Sequence, residues 1–136
     1  MTWLLDTNVV SELMKAEPDP RVLEWVDRHD EGTVLCAVVL SEIAAGIEAL
    51  PEGKRKAELM REARFIQEDY QERILPFDEA AAWEWARYVQ QLKTGGHAPP
   101  LLDSQIAATA RAWGLKVVTR NTADFPLMET VNPFEN

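Results

Sequence analysis

At 136 residues, 46% of them hydrophobic, the chain is sized for one domain spanning 1–136 with a sizeable core. Its 23 acidic residues against 14 basic ones leave a net charge of −9, which argues against a passive nucleic-acid binder built on a basic face. There is no apolar run of roughly 18 residues and no basic leader ahead of an apolar block, so neither a membrane span nor a signal peptide is expected. The single cysteine, Cys36, reads as a small buried hydrophobe and fits a reducing cytoplasm.

Trp3, Leu4 and Leu5 predict a short buried strand over about 2–6. Val9, Val10 and Leu13 form one side of a helix running from Thr7 to about Lys15. The stretch AEPDP breaks it, and Pro20 suits the first turn of a helix over 20–29. TVLCAV, residues 33–38, is a continuous apolar run of strand length, followed by a helix over 39–50 that Pro51 and Gly53 close. EGKRKAELMREARFIQEDYQE is helical, with Leu59, Ala63, Ile66 and Tyr70 on one stripe. Lys54, Arg61 and Arg64 lie opposite that stripe among glutamates, as on a solvated mixed face.

RILPF, 73–77, is a third strand. Asp78 caps the next helix, which ends at Gly95 and Gly96. Within it Trp85, Tyr88 and Leu92 make a core-like stripe, while Trp83 falls on the opposite side, over a neighbouring loop or at an interface. After GGHAPP, a helix over LLDSQIAATARAWG is stopped by Gly114, with Ile106, Ala107, Ala110 and Trp113 as its buried face. LKVVT, 115–119, is a fourth strand, and METVNP leaves room for a last short one. Strands separated by helices, without hairpin signals, predict an α/β fold with a parallel sheet. Ligand sites in such sheets lie beyond the carboxyl ends of the strands.

Four acidic positions stand out against that pattern. Asp6 ends the first strand, Glu42 borders an apolar helical stripe, Asp103 opens a helix, and Asp124 lies in the loop after the fourth strand. Singly, each has an ordinary structural reading: a helix cap, a border residue, a dipole partner, a turn former. Together they converge where an α/β fold places its site. Carboxylates brought together repel and raise each other's pKa, and a divalent cation relieves this. An all-oxygen donor set suits Mg²⁺ or Mn²⁺ rather than Zn²⁺. His29 and His97 are too few and too far apart in sequence for a zinc site, and no phosphate-binding glycine loop is present.

The stretches LLDTNVVSEL, SEIAAGI, PLLDSQIAATA and VVTRNTADF, in this order, resemble the motifs of PIN-domain proteins, and RILPFDEAAA and NPFE add to the likeness. The resemblance is to VapC-type toxins of bacterial toxin–antitoxin pairs, in their FitB-like branch. It implies a three-layer α/β/α sandwich around a parallel sheet and a cytoplasmic, Mg²⁺- or Mn²⁺-dependent endoribonuclease. It carries Asp6, Glu42 and Asp103 over as the catalytic, metal-holding triad, supported by Thr7, Asn8, Thr119, Asn121 and Asp124. The wider family often has another Asp where Asn121 stands, so either Asn121 or Asp124 takes the fourth place. Implied partners are RNA, a second copy of the chain, and a cognate antitoxin with a DNA-binding half. An Arg or Lys of that antitoxin would reach among the three acids, its chain lying in an apolar groove walled by Ala44, Ala45 and Gly46. The rival readings are a non-catalytic protein-binding module, which Asn121 favours, and a phosphatase or DNA nuclease using the same acids.

Overall fold

The computed structural model describes residues 1–135. Five strands, β1 (Trp3–Leu5), β2 (Thr33–Cys36), β3 (Ile74–Leu75), β4 (Lys116–Val118) and β5 (Thr130–Val131), form one sheet in the order β3-β2-β1-β4-β5. Every pairing is parallel; Leu4 stands between Val34 and Val117 across the three central strands. Six helices connect them: α1 (Thr7–Leu13), α2 (Pro20–His29), α3 (Ala37–Glu48), α4 (Lys54–Asp69), α5 (Glu79–Thr94) and α6 (Leu101–Ala112). The chain steps outward from β1 to β2 to β3, then crosses back to β4 on the other side of β1. Right-handed crossovers therefore put α1 to α4 on one face and α5 and α6 on the other, giving the expected α/β/α layers.

Both faces of a parallel sheet are covered, so its central strands are apolar throughout. Leu4, Leu5, Val34, Val117 and Val118 are fully buried, and Val9, Val39, Tyr88, Leu92 and Ile106 pack onto them from the helices. Cys36 is buried in this core as expected, and burial pushes its thiol up to about 11. The chain reverses direction around β1, which has β2 on one side and β4 on the other. In open parallel sheets a crevice for ligands opens at such a switch point.

Several boundaries differ from the sequence reading. The strand expected over 33–38 stops at Cys36, and α3 begins at Ala37, two residues early. An unbroken apolar run has no period to mark the junction, and Val38 and Val39 are buried equally well from a helix. α1 ends at Leu13 rather than Lys15, and the strands expected over 73–77 and 115–119 shrink to Ile74–Leu75 and Lys116–Val118. Trp113, expected on the buried face of α6, is 45% exposed, because the helix has already ended at Ala112. Ser104, Ala108 and Thr109 are buried on α6 instead. Trp83 is 70% exposed. Among the described residues no helix is long and apolar enough to cross a membrane.

Two glycines separate backbone need from helix propensity. Gly114 turns the chain out of α6 at φ +68, and a Cβ there would meet open space, so Gly114→Ala adds only backbone strain. Gly46, in the last turn of α3, also faces open space, with no such φ. Gly114→Ala should lower stability by about 1 kcal/mol and Gly46→Ala should raise it by about 0.5–1 kcal/mol. Urea unfolding of the two variants checks both signs.

Candidate active site

The first strand delivers Asp6 to the crevice. Its backbone N–H donates to the Val118 carbonyl at 2.9 Å, continuing the β1–β4 ladder by one step. It then caps α1, its Oδ1 accepting from Thr7 N at 2.7 Å. The capping role and a placement in the site are thus compatible, because one oxygen serves the helix. The other, Oδ2, accepts from Thr119 Oγ1 at 2.8 Å and from Asn8 Nδ2 at 3.3 Å. Asp6 is only 5% exposed. Burial drives its pKa up, the Thr119 and Thr7 bonds pull it down, and the charges of Glu42 and Asp124 push it up again.

Glu42 sits one and a half turns into α3, and its Oε1 accepts from Thr7 Oγ1 at 2.7 Å. Thr7 therefore uses its amide for Asp6 and its hydroxyl for Glu42, spacing the two acids. Asp103 lies in the first turn of α6. The next residue, Ser104, accepts from Trp85 Nε1 at 2.8 Å and donates to the Leu101 carbonyl, tying that turn to α5. Asp103 itself has no hydrogen-bond or ion-pair partner among the described residues. Its pKa is pushed up to about 6, first by burial and then by Asp6, Asp124 and Glu42. Four carboxylates from four separate segments thus act on one another.

The fourth motif is organised by Thr119. Its hydroxyl donates to Asp6 and accepts from Asn121 N at 3.0 Å and Asn8 Nδ2 at 3.1 Å. Asn8 closes the ring by accepting from Arg120 N at 3.1 Å. Asn121 enters through its backbone amide; its side chain makes no hydrogen bond among the described residues. Asp124, in the 3₁₀ turn Thr122–Asp124, acts by its charge on both Asp6 and Asp103, as Glu42 does. All eight residues singled out from the sequence fall around this crevice. Ser104 with Trp85, and Arg120, escaped sequence reading because their roles lie in tertiary hydrogen bonds.

An all-oxygen donor set, with the Asp103 side chain unpartnered and its pKa raised first by burial and then by like charges, has the chemistry of a hard divalent-cation site. As they stand, no three Asp, Glu, His or Cys side chains among the described residues are grouped so that they could hold a metal ion. Beside the acids a groove of about 710 Å³ runs from Thr7 and Glu42 between α1, α3 and α4. Met14, Ile43, Ile47 and Leu59 contribute its apolar lining, and Lys15, Arg55 and Arg61 line it with Glu58 and Glu62. The α3 wall is Ile43, Gly46 and Ile47; Ala44 and Ala45, expected there, are exposed and do not line it, since 100° per residue turns them away.

The PIN domain family model matches residues 3–128. The chain is 40% identical over 136 residues to the VapC ribonuclease Y4jK of Sinorhizobium fredii, covering 97% of each. It is 40% identical over 124 residues to the toxin FitB of Neisseria gonorrhoeae, covering 90% of this chain and 89% of the relative. A chain in the structure of FitAB bound to an IR36 DNA fragment superposes with a TM-score of 0.90 at 36% identity, over 99% of this chain and 97% of that one. With the motifs, the sheet order and these relatives in agreement, the chain belongs to the PIN-domain family, in the group of the VapC and FitB toxins.

Proposed function

We propose that this protein is the toxin of a toxin–antitoxin pair, a Mg²⁺- or Mn²⁺-dependent endoribonuclease acting in the cytoplasm. The observation that carries the reading is the convergence of Asp6, Glu42, Asp103 and Asp124, which leaves Asp103 with a pKa near 6. Asp6, Glu42 and Asp103 would hold the cation, with Asp124 as the fourth acid and Asn121 as a neutral support. When bound, the cation supplies Lewis-acid charge to the scissile phosphate and lowers the pKa of a water.

The chain's own groups do the rest. Thr7, Asn8 and Thr119 hold Asp6 by hydrogen bonds so that it does not rotate away from its neighbours. The Thr7 hydroxyl orients Glu42. Glu42 or Asp103 takes the proton of the attacking water, as a carboxylate within reach of it can. In-line attack leaves a 5′-phosphate and a 3′-hydroxyl.

The neighbouring groove fits the control such an enzyme needs. The FitAB relative bound to DNA supports a DNA-binding antitoxin as partner. An amphipathic segment would lay its apolar side on Ile43, Ile47 and Leu59, and an Arg or Lys at its end would pair with the acids beyond Glu42. The exposed apolar side chains, Trp83 among them, are available for pairing two toxin copies, symmetric dimers being the commonest assembly.

Incubation of the protein with labelled RNA and DNA, with and without Mn²⁺, is the direct test. Cleavage of RNA alone, and only with metal, is expected; cleavage of neither points to the protein-binding reading, and of DNA to the nuclease rival. Asp6→Asn and Asp103→Ala should each reduce the rate by at least about 100-fold. Asp124→Ala should lose less than Asp103→Ala, and Asn121→Ala least of all; Asn121→Ala as damaging as Asp103→Ala would refute the ranking.

The raised Asp103 pKa makes a second, metal-free test. A carboxyl whose folded pKa lies above its unfolded value of 3.8 holds its proton more tightly in the folded state. Stability then falls as pH rises through the window from about 4 to about 6, and stays reduced above it. Asp103→Asn should therefore raise the melting temperature of metal-free protein by a few degrees at pH 8 and by much less at pH 4. Melting curves at the two pH values decide it.

A further inference from the structure

Glu12, the last residue but one of the LLDTNVVSEL motif, has no part in the chemistry above. It is nevertheless 5% exposed, and Asp6 and Glu12 are the only acidic side chains so deeply buried among the described residues. A buried carboxylate is destabilising unless paired. Two of its partners are local: Lys15 Nζ at 2.9 Å and the Asp19 backbone N–H at 2.9 Å. The third, Arg120 Nη2 at 3.8 Å, comes from the far side of the chain, between Thr119 and Asn121 of the fourth motif.

Arg120 is gripped at every polar point of its main chain. Its N–H donates to Asn8 Oδ1 at 3.1 Å, and its carbonyl accepts from Asn132 Nδ2 at 3.3 Å. Its guanidinium lies 3.8 Å from the Phe134 ring centroid, and Asn132 Oδ1 in turn accepts from Phe134 N at 2.9 Å. The arginine is thus held between a carboxylate on α1 and an aromatic ring after β5. Its sequence neighbours are Thr119, bonded to Asp6, and Asn121, bonded to Thr119.

The acids themselves supply the reason for such a grip. Asp124 sits in an exposed loop, and Asp6 and Asp103 repel it. An unrestrained loop would relieve that repulsion by moving outward, taking the fourth carboxylate with it. We infer that Glu12 and Arg120, with Phe134 behind, form a clamp of positioning residues that holds the 119–124 segment against the like charges of the site. The inference deepens the metal-site reading and rests on it for one of its two readouts.

The full chain, wild type and with Glu12→Gln or Arg120→Ala, is compared by hydrogen–deuterium exchange without metal and by calorimetric titration with Mn²⁺. Arg120 is half exposed, so its truncation spares the core. Both variants should speed exchange over 119–125 and weaken Mn²⁺ binding by about three- to fivefold, the range open to a half-exposed ion pair, with α5 peptides unchanged. Arg120→Lys, which keeps the charge without the planar stack, should fall between. Wild-type exchange over 119–125 in both variants would overturn the clamp, as would faster exchange spread equally over α5. If the wild type takes up no Mn²⁺, the metal reading fails by itself and the exchange data still decide the clamp.

Discussion

Like-charge repulsion at the carboxyl end of the sheet governs this structure. Asp6 and Asp103 carry raised pKa values, first because burial disfavours the charged form and then because Glu42 and Asp124 act on both, with Asp6 acting on Asp103 as well. A fold that only packed well would disperse these groups. Here the sheet order brings them together: β1 lies centrally, its neighbours β2 and β4 feed α3 and the 119–124 loop, and α6 arrives from the opposite face.

Hydroxyl and amide groups make that convergence tolerable. Thr119 accepts and donates at once, linking Asp6, Asn8 and Asn121 through a single oxygen. Thr7 divides its amide and hydroxyl between two acids. These bonds stabilise one charged oxygen at a time and fix its direction, which free carboxylates in water lack. Asp103, left without such a bond, carries the pKa of about 6. Asp6, whose carboxylate accepts three hydrogen bonds, and Asp103, whose carboxylate accepts none among the described residues, therefore sit in the same crevice.

The groove beside the site has a mixed lining: apolar Ile43, Ile47 and Leu59, with Arg55 and Arg61 facing Glu58 and Glu62. Its end at Thr7 and Glu42 adjoins the acids directly.

Local chemistry was enough to read the alternation of strands and helices, and hence the parallel α/β class, because Pro20, Asp78, Gly95 and Gly114 punctuate the chain at turns that propensity alone explains. Asp6 at a strand end, Glu42 at the border of an apolar stripe and Asp103 at a helix start stood out by position, but it was the resemblance to PIN-domain motifs that set them apart as a triad. The junction at Cys36–Ala37 was not, since Val38 and Val39 satisfy either element and only burial against the sheet selects one. Nor could periodicity see that Trp113 falls past the end of α6, or that Ala44 and Ala45 turn away from the groove. Nor could any local rule show that the charge of Asp124 acts on Asp6, more than a hundred positions away, a proximity that exists only once β4 has paired with β1.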